Sequence, residues 1–220
     1  MIFPIGDVNV KGGAKPFLTY SFIGLNILVF LYQLTLKDAQ CAVFVNTYGV
    51  IPADIVAGKD FSMSFTSMFL HGGFMHLIGN MLFLWVFADN IEAVIGNVKF
   101  ALFYFLGGLA AVALQTLSNP SSVIPMVGAS GAISACLGAY LVIFPKSKIK
   151  ILVVFLFSSF NIGAIYFLGL WIAQQFIAGI GSIAKTADTG GVAYWAHIGG
   201  FAFGVLAGLF FKRRGALKKS

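Results

Sequence analysis

Apolar positions in this chain gather into long runs almost free of charge, separated by short segments that hold most of the Lys, Arg, Asp and Glu. A helix rises 1.5 Å per residue and the hydrocarbon core of a bilayer is about 30 Å thick, so about 20 apolar residues predict a membrane-spanning helix. Six segments are expected to be spans: Phe17 to Leu36, Gly73 to Glu92, Phe100 to Leu117, Ser130 to Phe144, Ile149 to Ile183, and Val192 to Phe211. The fifth is interrupted by Ser158, Ser159, Asn161 and Gly163, which predicts an interfacial or loosely packed entry between Phe155 and Trp171. The pattern therefore predicts an all-α membrane protein, a six-helix bundle forming a single domain over residues 1–220, with 1–16 and 212–220 as cytoplasmic tails. The stretch from Lys37 to Phe69 is a long loop whose fold the pattern does not predict.

Composition agrees with a lipid-facing surface. Of the 220 residues 59% are apolar and 10% charged, against about 45–50% and about 25% in an average soluble chain. The net charge of +7 could suggest nucleic acid, yet the basic residues form no stripe across the apolar runs, so no nucleic-acid partner is expected. They sort by side instead. Lys11, Lys15, Lys99, Lys146, Lys148, Lys150, Lys212, Arg213, Arg214, Lys218 and Lys219 fall on one face, and only Lys37, Lys59 and Lys185 on the other. Basic residues in short loops stay cytoplasmic, so both termini are expected there, in what the compact six-span form suggests is a bacterial cytoplasmic membrane. Cys41 and Cys136 are too few for a disulfide framework and match no zinc spacing, so no metal site is expected.

The fourth run is too short to span. Ser130 to Phe144 covers about 22 Å at 1.5 Å per residue, and Pro145 with the lysines after it pins the far end at the cytoplasmic interface. Ser130 then lies below the outer membrane surface at the start of a helix. Backbone N–H groups there lack intrahelical partners, and the dipole favours developing negative charge. Non-helical backbone at that depth is tolerated only if buried in protein or lining water, so residues 119–128 imply a hydrated depression. An ordinary N-cap is the competing role for such a serine.

Polar side chains at membrane depth usually face a bundle interior or a wet cavity. All three histidines, His71, His76 and His197, lie at or inside apolar runs. His76 and Asn80, four apart, share a helix face and could point into one cavity or form an interhelical hydrogen bond. Gly131, Ala135 and Gly138 form one small-residue stripe, and Gly200, Gly204 and Gly208 another just beyond His197. Packing along these stripes brings His197 level with Ser130, where an imidazole can take the hydroxyl proton and return it to a leaving amine. Every Asp or Glu lies in a loop or near a span end, so the pair is read as a dyad rather than a triad.

Three blocks carry a resemblance: HGGFMHLIGN in span two, GASGAISACLGAY opening span four and AHIGGFAFG in span six. In this order and spacing they resemble the rhomboid family of intramembrane serine proteases, over Phe17 to about Phe211. The resemblance implies Ser130 as nucleophile and His197 as base. It implies that His76 and Asn80 stabilise the oxyanion with the Ser130 N–H, that Gly128 keeps the approach open, and that His71 supports them. Glu92 and Gly96 match structural positions at the cytoplasmic end of span two. Two features depart from the family. The outer loop lacks the Trp-Arg pair of many members, and Ser134 stands where some bacterial members place a tyrosine against the histidine, so His197 must be oriented by other packing.

The resemblance further implies peptide-bond hydrolysis toward the outer face, after a small residue of a transmembrane protein substrate, without metal or other cofactor. A lateral approach near spans two and five is expected, with local unwinding of the substrate helix, and the glycine-rich loop from Thr186 to Gly191 as a movable lid. Two other readings compete: a transporter or channel in which the histidines relay protons, and a non-catalytic rhomboid-like protein that binds membrane clients. An internal repeat, frequent in transporter folds, is missing between the halves.

Overall fold

A computed structural model describes residues 2–8, 10, 13–183 and 191–213. In chain order the elements are β1 (Ile2–Gly6), α1 (Phe17–Thr35), the short helices α2 (Asp38–Tyr48), α3 (Pro52–Val56) and α4 (Met63–Thr66), α5 (Phe74–Phe83), α6 (Asp89–Ile95), α7 (Asn97–Ser118), α8 (Ser130–Ile143), β2 (Lys148–Val153), β3 (Ser158–Gly163), α9 (Ala164–Ile183) and α10 (Tyr194–Arg213). A π turn over Leu84–Ala88 joins α5 to α6, making one long second span. Among the described residues, five helices are long and apolar enough to cross a membrane, namely α1, the α5–α6 pair, α7, α9 and α10, and α8 is a shorter apolar helix. The architecture is thus an α-helical membrane bundle with a short fourth helix at its centre.

That centre is made by small residues. A Cβ on Gly200 would lie 2.1 Å from the Gly131 carbonyl oxygen, and one on Gly204 2.0 Å from that of Ala135. From the other side, a Cβ on Gly131 would lie 2.5 Å from the Cβ of Ala111 on α7. With α7 and α10 this close, nearly all of α8 is buried. The stripes read from the sequence are therefore the α8–α10 contact itself.

At the end of the second span, fully buried Glu92 ties three elements together. Its carboxylate accepts from the Leu18 and Thr19 backbone N–H groups at 2.8 and 2.7 Å, from the Thr19 hydroxyl at 2.7 Å, and from the Asn97 amide at 2.6 Å. The two N–H groups belong to the first turn of α1, where no intrahelical acceptor exists and a negative charge is favoured. Gly96, at φ +82°, then lets the chain reverse directly into α7.

The fifth run departs from expectation. Ile149 to Gly163 is a hairpin, and the helix starts only at Ala164. Ile149, Ile151 and Val153 are buried while Lys148 and Lys150 are exposed, an alternation of period two that fits a strand and not a helix. β1 pairs antiparallel with the same strand, so residues expected to form a free tail complete a three-stranded sheet. In the connection between α2 and α3, Val50 and Met126 exchange N–H···O bonds of 3.0 and 2.7 Å, fastening the segment just ahead of α3 to the chain just before α8.

Candidate active site

Ser130 opens α8, one residue past the N-cap position, which Ala129 occupies. Its Oγ lies 2.9 Å from Nε2 of His197 on α10. The N-terminus of α10 is held by Gln115 of α7, whose amide oxygen accepts from the Ala196 N–H at 3.1 Å. Ser134, one turn along α8, donates to the Ser130 carbonyl at 2.6 Å instead of reaching the histidine. The imidazole is flanked instead from α9: the Trp171 ring lies 5.8 Å from it between centroids, and the Gln175 amide oxygen is 2.9 Å from Nδ1.

The remaining residues singled out from sequence surround the same space. Gly128 adopts φ +121°, and a Cβ there would sit 2.7 Å from His76 Nε2 and 3.4 Å from Asn80 Nδ2. Only glycine lets the chain ahead of Ser130 pass this close to both side chains. The Gly72 N–H points at His76 Nδ1 at 3.4 Å, which puts the His76 proton on Nε2, the nitrogen beside Gly128. Asn80 directs one amide N–H to His71 Nε2 at 2.9 Å, so its second N–H remains available on the Gly128 side. His71 is fixed in turn by Gln33, which donates to its carbonyl and accepts from its N–H, both at 3.1 Å. His71 thus holds Asn80 in place, and its ring lies 5.1 Å from that of His76 between centroids.

A cavity of about 40 Å³ adjoins Ser130, lined by residues including Ser67, Met68, Met126, Gly128 and Ala196. The segment leading to it is held by the Gly128 N–H, which donates to the Ser67 carbonyl at 2.8 Å. Among the described residues no three His, Cys, Asp or Glu side chains converge as metal ligands would. The expected lid, Thr186 to Gly191, lies outside the described residues except for Gly191.

Sequence reading overlooked Gln33, Gln115, Trp171 and Gln175. Each glutamine lies within or at the end of an apolar run, and the cost of burying an unpartnered amide in lipid was the signal available to find them.

Comparisons with known proteins agree with the three sequence blocks. Residues 59–214 match the family described as Rhomboid domain. The chain is 32% identical over 201 residues to "Rhomboid protein 1, mitochondrial" of Saccharomyces cerevisiae, covering 89% of this chain and 54% of that protein. It is 32% identical over 136 residues to "Rhomboid protease GluP" of Bacillus subtilis, covering 61% and 26% respectively. A plant relative, "RHOMBOID-like protein 1" of Arabidopsis thaliana, is 33% identical over 147 residues, 67% of this chain and 33% of the relative. The chain thus spans from about a quarter to about half the length of these relatives.

Proposed function

Because the chain belongs to the rhomboid family, we propose that it is an intramembrane serine endopeptidase that cuts transmembrane protein substrates. The observation that carries this reading is the 2.9 Å contact between Ser130 Oγ and His197 Nε2, at the hydrogen-bond distance an activated nucleophile needs. In the first step Oγ attacks the scissile carbonyl carbon while Nε2 takes the hydroxyl proton. The tetrahedral oxyanion sits between the Ser130 N–H, the His76 Nε2–H and the free Asn80 amide N–H, donors already oriented before reaction. The imidazolium then protonates the departing amine, and water attacks the acyl-enzyme by the same route in reverse.

The family resemblance implies a small side chain next to the scissile bond, and the space beside Ser130 is lined largely by small side chains, among them Gly108, Ala111, Gly128, Ala132 and Ala196. Substrate helices must unwind first, because an intact helix keeps its carbonyls engaged, so Gly or Pro near the site should favour cleavage. The distribution of basic residues supports cytoplasmic termini and a site nearer the outer face. The proposed location is the bacterial cytoplasmic membrane.

The test uses detergent-purified protein with a reporter transmembrane substrate. Ser130→Ala and His197→Ala should each lower kcat by about 10⁴-fold or more, and a fluorophosphonate should label wild type at Ser130. Cleavage unchanged in both variants overturns the dyad. Absent labelling favours a client-binding protein instead.

A further inference from the structure

On the protease reading, Ser130 and His197 are a dyad with no acid behind the histidine among the described residues, yet the Nδ1 side of the imidazole is occupied. Trp171 and Gln175 lie four apart on α9 and so share a face, and both meet His197. Gln175 is 6% exposed, whereas its neighbours Phe176 and Ile177 are 45% and 74% exposed on the outward side of the same helix. A buried amide on the inward face of a membrane-spanning helix must find partners, and Gln175 has two. Its Nε2 points at the Trp171 carbonyl oxygen at 3.4 Å, and its Oε1 at His197 Nδ1 at 2.9 Å.

The first contact orients the second. A backbone carbonyl only accepts, so the amide nitrogen must face Trp171 and the amide oxygen must face the imidazole. Facing an acceptor, Nδ1 carries the proton of the neutral ring. Nε2 is left with its lone pair toward the Ser130 hydroxyl. Had the amide been reversed, the ring would hold its proton on Nε2 and could not accept one from serine.

We propose that Gln175 is a positioning residue for His197, its amide oxygen holding the Nδ1 proton so that Nε2 stays the base for Ser130. It performs the orienting part of a triad acid without placing a fixed charge at membrane depth, where an ionised carboxylate is costly. The inference rests on the protease reading for its consequence but not for its geometry, so the two can fail separately.

The experiment compares wild type with Gln175→Leu, Gln175→Glu and, as a control on the exposed neighbour, Gln174→Leu. Nitrogen-15 histidine spectra of the purified protein should place the His197 proton on Nδ1, and Gln175→Leu should move it toward Nε2. With the reporter substrate, Gln175→Leu should lower kcat about 10- to 1000-fold with KM little changed, less than the roughly 10⁴-fold lost when a charged triad carboxylate is neutralised. Gln174→Leu should match wild type. Gln175→Glu keeps an acceptor facing Nδ1 whether or not it ionises, so it should hold the wild-type tautomer and lose less kcat than Gln175→Leu. Among the described residues, the titratable side chain acting on His197 from the other helices is His76 on α5, unchanged in every variant. A wild-type proton on Nε2, or a Leu variant matching wild type in tautomer and kcat, overturns the proposal. If the Leu variant does not insert, the wild-type and Glu-variant spectra decide instead, and an Nε2 proton in either overturns the proposal. Failure of the protease reading looks different: wild type neither labels nor cleaves while the Nδ1 tautomer is still present.

Discussion

At the scale of single residues, Gly128 does two things that no other residue type does together. Its φ of +121° is a conformation that L side chains rarely adopt, and its missing Cβ makes room for His76 and Asn80. Gly128→Ala should therefore displace His76 and Asn80, the oxyanion donors of the proposed mechanism, while leaving the distant helix contacts in place. Loss of one well-placed oxyanion donor costs about 10²–10³ in kcat, and a fall of that order is expected, read as slower fluorophosphonate labelling and substrate cleavage at an unchanged unfolding temperature to within a few degrees. Full activity in this variant would mean that His76 and Asn80 do not act through this gap. The residue type was visible in the sequence; its reason was not, because the side chains it avoids come from more than 45 positions away.

At the scale of elements, the site depends on how closely α8 and α10 approach. Gly204 faces the Ala135 carbonyl with space for a hydrogen and nothing larger, since a Cβ there would lie 2.0 Å from the oxygen. Gly204→Ala must part the two backbones, and overpacking of this kind costs about 1–3 kcal/mol. The variant is expected to unfold at lower temperature in detergent, and also to cleave more slowly because His197 rides on the displaced helix. Wild-type stability would show that the helices can slide without cost. The glycine spacing predicted this interface correctly, for both stripes are local patterns. The run beginning at Ile149 has the apolar content of a span, but its Lys-Ile-Lys-Ile alternation has the period of a strand, and that period makes β2.

At the scale of the whole molecule, the N-terminal strand is docked onto the bundle through buried polar groups. Asp7 is hydrogen-bonded by the Tyr140 hydroxyl and by the Asn90 amide at 2.9 Å. Burial raises the Asp7 carboxyl above its usual range, and the hydrogen bonds from Tyr140 and Asn90 only partly oppose this. An acid with a raised pKa in the docked state binds its proton more tightly there. Docking is accordingly strongest below the ordinary Asp value of about 3.9, and it weakens as pH rises through the higher docked value. Backbone hydrogen exchange of Ile2–Gly6, corrected for intrinsic rates, should show protection falling over that interval, with Asp7→Asn flattening the dependence. An identical slope in the Asn variant would locate the titrating group elsewhere.

The amino-acid order alone determined the membrane class, the short central helix, the small-residue seam and the serine and histidines to examine, since each is written in run length, spacing or residue type. Only the tertiary structure decided that Gln175 meets His197, that Glu92 closes the start of α1, and that β1 joins a hairpin more than 140 residues away. Those contacts depend on which faces of separate helices and strands are turned toward each other, and that is set by packing the whole chain at once.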